Sequence, residues 1–105
     1  NMDVIPRVLE ILKNTSDTDV GSPALRLLGN IVTGYDDDTD IVLNLGLIDI
    51  LAPILDSQIK FFRKEAAWAF SNILSGPSEH IELVFKYGDG MIFKRLFKMA
   101  YDDHI

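Results

Sequence analysis

The sequence predicts an all-α fold assembled from a repeated helical unit with a period of 42 residues. Three observations predict it. First, the chain matches itself when displaced by one period: Ala24 falls on Ala66, Asn30 on Asn72, Ile31 on Ile73, Gly34 on Gly76, Val42 on Val84 and Gly46 on Gly88. Second, apolar positions keep their class across three copies, as in Val8/Ile50/Ile92, Leu9/Leu51/Phe93 and Leu12/Ile54/Leu96. Third, these apolar residues recur three or four apart, the spacing of one helix face. Such a unit cannot bury its apolar face alone, so neighbours stack and share one continuous core.

Each element follows from local signals. A first helix is expected from about Asp3 to Lys13. Ser22-Pro23 reads as an N-cap followed by proline at the first helical position, and the helix runs to Thr33, with Gly34 as its C-cap residue. A short helix starts at Asp38 or Thr39, carries Ile41, Val42 and Leu45, and ends at Gly46. A second carries Leu47, Ile50, Leu51, Ile54 and Leu55. Residues 57–59 form a turn. A long helix spans about Lys60 to Ser75 and stops at Gly76-Pro77. Ser78 or Glu79 opens another short helix to Tyr87, and Gly88-Asp89-Gly90 ends it. The last helix carries Ile92, Phe93, Leu96 and Phe97.

The order is short, medium, long. That three-helix order is the armadillo arrangement, whereas HEAT units have two helices. The chain divides into a partial repeat (1–34), a full repeat (35–76) and a second partial repeat (77–105).

Composition excludes several functions. The chain has 105 residues, 48% of them apolar, and a net charge of −6. That charge argues against general binding of nucleic-acid phosphates and favours Lys/Arg-rich partners. The chain has no cysteine, which removes disulfides and thiolate metal sites. His80 and His104 lack ligand spacing, carry no metal and are expected at the surface. No apolar run reaches membrane-spanning length. No catalytic constellation and no cofactor motif is present, so no enzyme activity is expected. Phe61, Phe62 and Phe70 are expected in the core. The chain reads as a piece of a longer protein.

The long helices should line the concave surface. Trp68 lies one period after Arg26. A position that accepts arginine in one unit is not dry core in the next, so Trp68 is expected to face the groove. Asn72 and Asn30 lie four residues after Trp68 and Arg26, on the same face. An amide offers both a donor and an acceptor to a peptide backbone. An indole can stack on a lysine stem. Glu65 shares the face and is expected to supply negative charge. Helices about 8–10 Å apart and a strand rise of about 3.3 Å give roughly three peptide residues per repeat. Asp36, Asp37, Asp38 and Asp40 are expected to form an acidic loop at the rim.

The segments PALRLLGNIVTG (23–34) and KEAAWAFSNI (64–73) resemble importin-α, the armadillo-repeat nuclear-import adaptor. The second holds the W-x-x-x-N signature. The first is similar to the unit in which arginine replaces that tryptophan. The resemblance covers about Pro6 to Tyr101 and implies a right-handed superhelix that binds basic nuclear localization signals. It implies that Asn30, Val32, Thr33, Thr39, Glu65, Trp68, Ser71 and Asn72 contribute to the minor signal-binding groove. Val32 would act through its carbonyl, Thr39 would help receive a lysine, and Arg26 would shape the groove. It also implies a cytoplasmic and nuclear location, and importin-β binding through a segment outside these residues. The alternative reading is an armadillo scaffold for a partner in adhesion or signalling. The uncapped end faces are expected to favour self-association.

Overall fold

The structure, a computed structural model, describes residues 5–14 and 18–104, with side chains described for 5–14 and 21–101. The first helix, α1 (Ile5–Asn14), buries Ile5, Val8, Leu9 and Leu12, an i, i+3, i+4, i+7 stripe. Its expected start at Asp3 lies outside the described residues.

The second helix, α2 (Thr18–Val32), begins earlier than Ser22-Pro23 suggested and carries Pro23 inside it. Pro23 is the sixth residue of α2, past the four N-terminal positions whose N–H groups have no helical partner, so it removes the bond that would run to the Asp19 carbonyl. The extra turn also places Gly21 against Phe62, whose Cε2 lies 3.3 Å from where a Cβ would sit. The helix ends in a tight turn, with the Gly34 N–H donating to the Ile31 carbonyl at 3.1 Å. Gly34 is therefore not the left-handed cap that the sequence suggested, because the positive-φ glycines are Gly46, Gly88 and Gly90.

Three helices follow: α3 (Asp36–Asn44), α4 (Leu47–Ile54) and α5 (Lys60–Leu74). Asp36, Asp37 and Asp38 form the first turn of α3 rather than a rim loop. Carboxylates are favourable at a helix N-terminus, where unpaired N–H groups and the macrodipole are positive. Gly46, at φ 97°, separates α3 from α4. Side chains strain this left-handed conformation, whereas glycine does not.

After α5 come α6 (Ser78–Lys86), a 3₁₀ turn over Tyr87–Asp89, and α7 (Met91–His104). The sequence suggested a helix as short as α4. One period after Pro53 and Ser57 stand Arg95 and Met99, both good helix formers, so nothing stops α7 at the equivalent point.

The helices form two layers, and the smallest dimension is 22 Å, about two helix diameters. The long helices α2 and α5 lie side by side, with α1 on α2 and α4 on α5 behind them. A single cluster of buried residues runs through all of them, including Leu25, Leu28, Leu51, Ala66, Phe70 and Ile92. The stacked-repeat expectation therefore holds.

Candidate functional site

The α5 helix presents Phe61, Glu65, Trp68 and Asn72 at i, i+4, i+7 and i+11, a single stripe along one face. On the opposite side, Ala66, Ala69, Phe70 and Ile73 are buried. Alternation of these two sets makes Trp68 a surface residue without removing α5 from the core. Trp68 is 38% exposed, which fits a side chain that is half seated and half offered to solvent.

The α2 helix supplies the facing wall. Arg26 Nε donates to Glu65 Oε1 at 2.6 Å. The Arg26 guanidinium also lies over the Phe61 ring, 5.9 Å from its centre. This corrects two expectations. Phe61 is exposed beneath a cation instead of buried in the core, whereas Phe62 and Phe70 are buried. The carboxylate of Glu65 is already engaged and only 14% exposed, so it is not a free negative charge in the groove.

Three residues further along, the benzo ring of Trp68 occupies the space beside Gly29. A Cβ on Gly29 would lie 2.8 Å from Trp68 Cε3 and closer still to Cζ3. Both pairs, Arg26 with Glu65 and Gly29 with Trp68, are 39 apart in sequence, which defines the register of α2 against α5.

The amide rung is built by helix-back bonding. The Trp68 carbonyl accepts from Ser71 Oγ at 2.7 Å and from Asn72 Nδ2 at 3.1 Å. One Asn72 N–H is therefore used to fix the side chain, and its carbonyl oxygen remains an available acceptor. At the C-terminal end of α2, Thr33 Oγ1 donates to the Asn30 carbonyl at 2.7 Å. The Gly29 and Ile31 carbonyls accept from the Thr33 and Gly34 N–H groups, and none of these bonds uses the Val32 carbonyl. Asn30 and Thr33 are exposed, whereas the Val32 side chain is buried.

Thr39 does not join this group in the manner expected. It is 3% exposed on α3, and its hydroxyl donates to the Tyr35 carbonyl at 3.3 Å. Its hydroxyl is therefore held inside the fold. His80 also departs from expectation. It is buried at the start of α6, with Nε2 3.4 Å from Asp40 Oδ1 on α3. The side chain of His104 lies outside the described residues. Gly29 was not singled out by the repeat, although a glycine within a helix interior is itself a signal of close approach.

The stripe is an open track and not an enclosed cavity. Two clefts among the described residues lie away from it. One, of about 470 Å³, runs between Leu12, Ile50, Pro53 and Phe62. The other, of about 400 Å³, is bordered by Asp56, Arg63, Arg95 and Lys98. Among the described residues no group of three His, Asp or Glu is placed to hold a metal ion. Among the described residues no helix is long and apolar enough to cross a membrane.

No protein-family model matches the chain. Curated relatives do. Importin subunit alpha-1a of Oryza sativa subsp. japonica is 38% identical over 86 residues, covering 81% of this chain and 16% of that protein. Importin subunit alpha-1b of the same organism is 42% identical over 88 residues, covering 84% and 16%. Importin subunit alpha-2 of Arabidopsis thaliana is 41% identical over 85 residues, covering 81% and 16%. The chain thus spans about one sixth of the length of these relatives. Among solved structures, an engineered protein superposes with a TM-score of 0.76 at 31% identity, covering 84% of this chain and 35% of its own. A designed armadillo-repeat protein in complex with the peptide (KR)4 superposes with a TM-score of 0.81 at 22% identity, covering 89% and 38%.

Proposed function

From the premise that this chain is an armadillo-repeat segment homologous to importin-α subunits, we propose that it binds an extended Lys/Arg-rich peptide along the α2–α5 face. The observation that carries the proposal is the stripe of Trp68 and Asn72 on α5, packed in register against α2, whose exposed Asn30 and the exposed Thr33 in the turn after it lie at the same end. An extended peptide needs main-chain partners at regular spacing and a surface for its long cationic side chains. Asn30 and Asn72 offer the first, and Trp68 offers the second.

The proposed cargo is a basic nuclear localization signal, and the row corresponds to part of a minor signal-binding groove. Asn30, Thr33, Trp68, Ser71 and Asn72 are the proposed contacts, with the Val32 carbonyl as a further acceptor. The Arg26–Glu65 pair closes one end of the row by occupying a position that would otherwise hold a second tryptophan. In this reading the protein is an adaptor moving between cytoplasm and nucleus, not an enzyme, and importin-β is engaged by another part of a longer polypeptide.

Isothermal titration with a Lys/Arg-rich peptide and with an acidic peptide of equal length tests the proposal. Binding of the basic peptide alone supports it. Preference for the acidic peptide favours the scaffold alternative.

A further inference from the structure

A glycine inside a long helix demands a reason, because it weakens the helix relative to alanine. Gly29 lies three residues before the end of α2 and does not take a positive φ. Backbone conformation is therefore not the reason. The space around it is: Trp68 fills the volume a side chain at 29 would need, with Cε3 at 2.8 Å and Cη2 at 3.5 Å from a Cβ placed there. A separation under 3.0 Å cannot be accommodated without movement.

Something must give way, and the surroundings decide what. The backbone of α2 is held by Leu25 and Leu28, both buried in the shared core. The backbone of α5 is held on its far side by Ala66, Ala69, Phe70 and Ile73. Trp68 alone has an open side, since it is 38% exposed. A side chain at position 29 therefore turns the indole outward, into the track, and leaves the two helices in register.

We infer that Gly29 is a positioning residue for Trp68: the missing Cβ sets the depth at which the indole sits and so the width of track open to a ligand. The inference rests on the peptide-binding reading for its functional consequence, but not for its structural one. One period later the equivalent position is Ser71, whose hydroxyl instead donates to the Trp68 carbonyl. The two units thus use the same position in different ways, and Gly29 belongs to the unit that has no tryptophan of its own.

The test uses Gly29→Ala and Gly29→Ser in the 105-residue chain. Trp68 is the single tryptophan, so its fluorescence reports this side chain alone. The expected result is a red-shifted emission with greater acrylamide quenching in both variants and an unchanged far-UV helical spectrum. Titration with a Lys/Arg-rich peptide should show affinity about tenfold lower, the scale of one lost aromatic–cation contact. Combining Gly29→Ala with Trp68→Leu should cost no more than Trp68→Leu alone, because both act through one side chain. Unchanged emission and quenching in Gly29→Ala would overturn the inference, as would additive losses in the double variant. If the unsubstituted chain binds no basic peptide, the peptide-binding reading fails, while the fluorescence result still decides the role of Gly29.

Discussion

Arg26 on α2 donates to Glu65 on α5 across the junction of two repeats, and this bond removes the only carboxylate on the described α5 stripe from the groove. The pair is unequal, since the arginine side chain is 56% exposed and the glutamate 14%. Arg26 can swing into water, but Glu65 cannot. Replacing Arg26 with alanine should therefore leave a largely buried carboxylate facing the track. Stability should fall by about 1–3 kcal/mol, because truncating the arginine leaves that carboxylate without its partner. Affinity for a lysine-rich peptide should rise several-fold at low salt, and the gain should vanish as salt screens it. Peptide titrations at two ionic strengths check this; an unchanged affinity at both would contradict it.

The glycines separate into two kinds, and substitution should show it. Gly46 sits at φ 97° with open space around it, so a methyl group there meets backbone strain alone. Gly46→Ala should cost about 1–2 kcal/mol, the left-handed penalty for an L-residue. Gly34 is not left-handed, and a Cβ there would sit 3.4 Å from the Ile31 carbonyl. Gly34→Ala should cost well under about 1 kcal/mol. Thermal or urea melts of both variants distinguish them, and equal losses would contradict the assignment.

His80 joins the two short helices. It is buried against Asp40, which is itself exposed. His80→Ala removes a packed ring as well as its contact with Asp40 and should cost about 2–3 kcal/mol, as for other buried truncations. Asp40→Ala removes only a surface partner and should cost below about 1 kcal/mol. Chemical denaturation of the two variants gives the comparison, and a larger loss from Asp40→Ala would mean the contact with Asp40 matters more than the packing.

Phe97 and Tyr101 on α7 are 75% and 68% exposed, whereas of their counterparts 42 residues earlier Leu55 is buried and Ile59 partly buried. Exposed aromatics at an unstacked repeat face favour association. The 105-residue chain should show a concentration-dependent sedimentation coefficient, reduced by Phe97→Ser. A monomer at every concentration would contradict this.

The sequence made the architecture legible because the repeat carries two independent signals, glycine phase and apolar class. Both derive from the same need of each unit to stack on the next. What it hid were interactions between units. Nothing in the segment around Glu65 indicates that Arg26, 39 residues away, neutralises it. His80 looked like a surface residue because its partner lies on another short helix. Asp36 to Asp38 looked like a loop because acidic runs are usually solvated, whereas here they occupy the start of α3. Thr39 was carried over from the family pattern, and its burial against the Tyr35 carbonyl is a tertiary fact that no local pattern displays.

The most direct test of the peptide-binding proposal is isothermal titration of a Lys/Arg-rich peptide into the unsubstituted chain and into Trp68→Ala. Saturable binding that weakens at least about tenfold on removal of the indole is expected. Equal affinity in the two proteins, with Trp68→Ala still folded by circular dichroism, would contradict it.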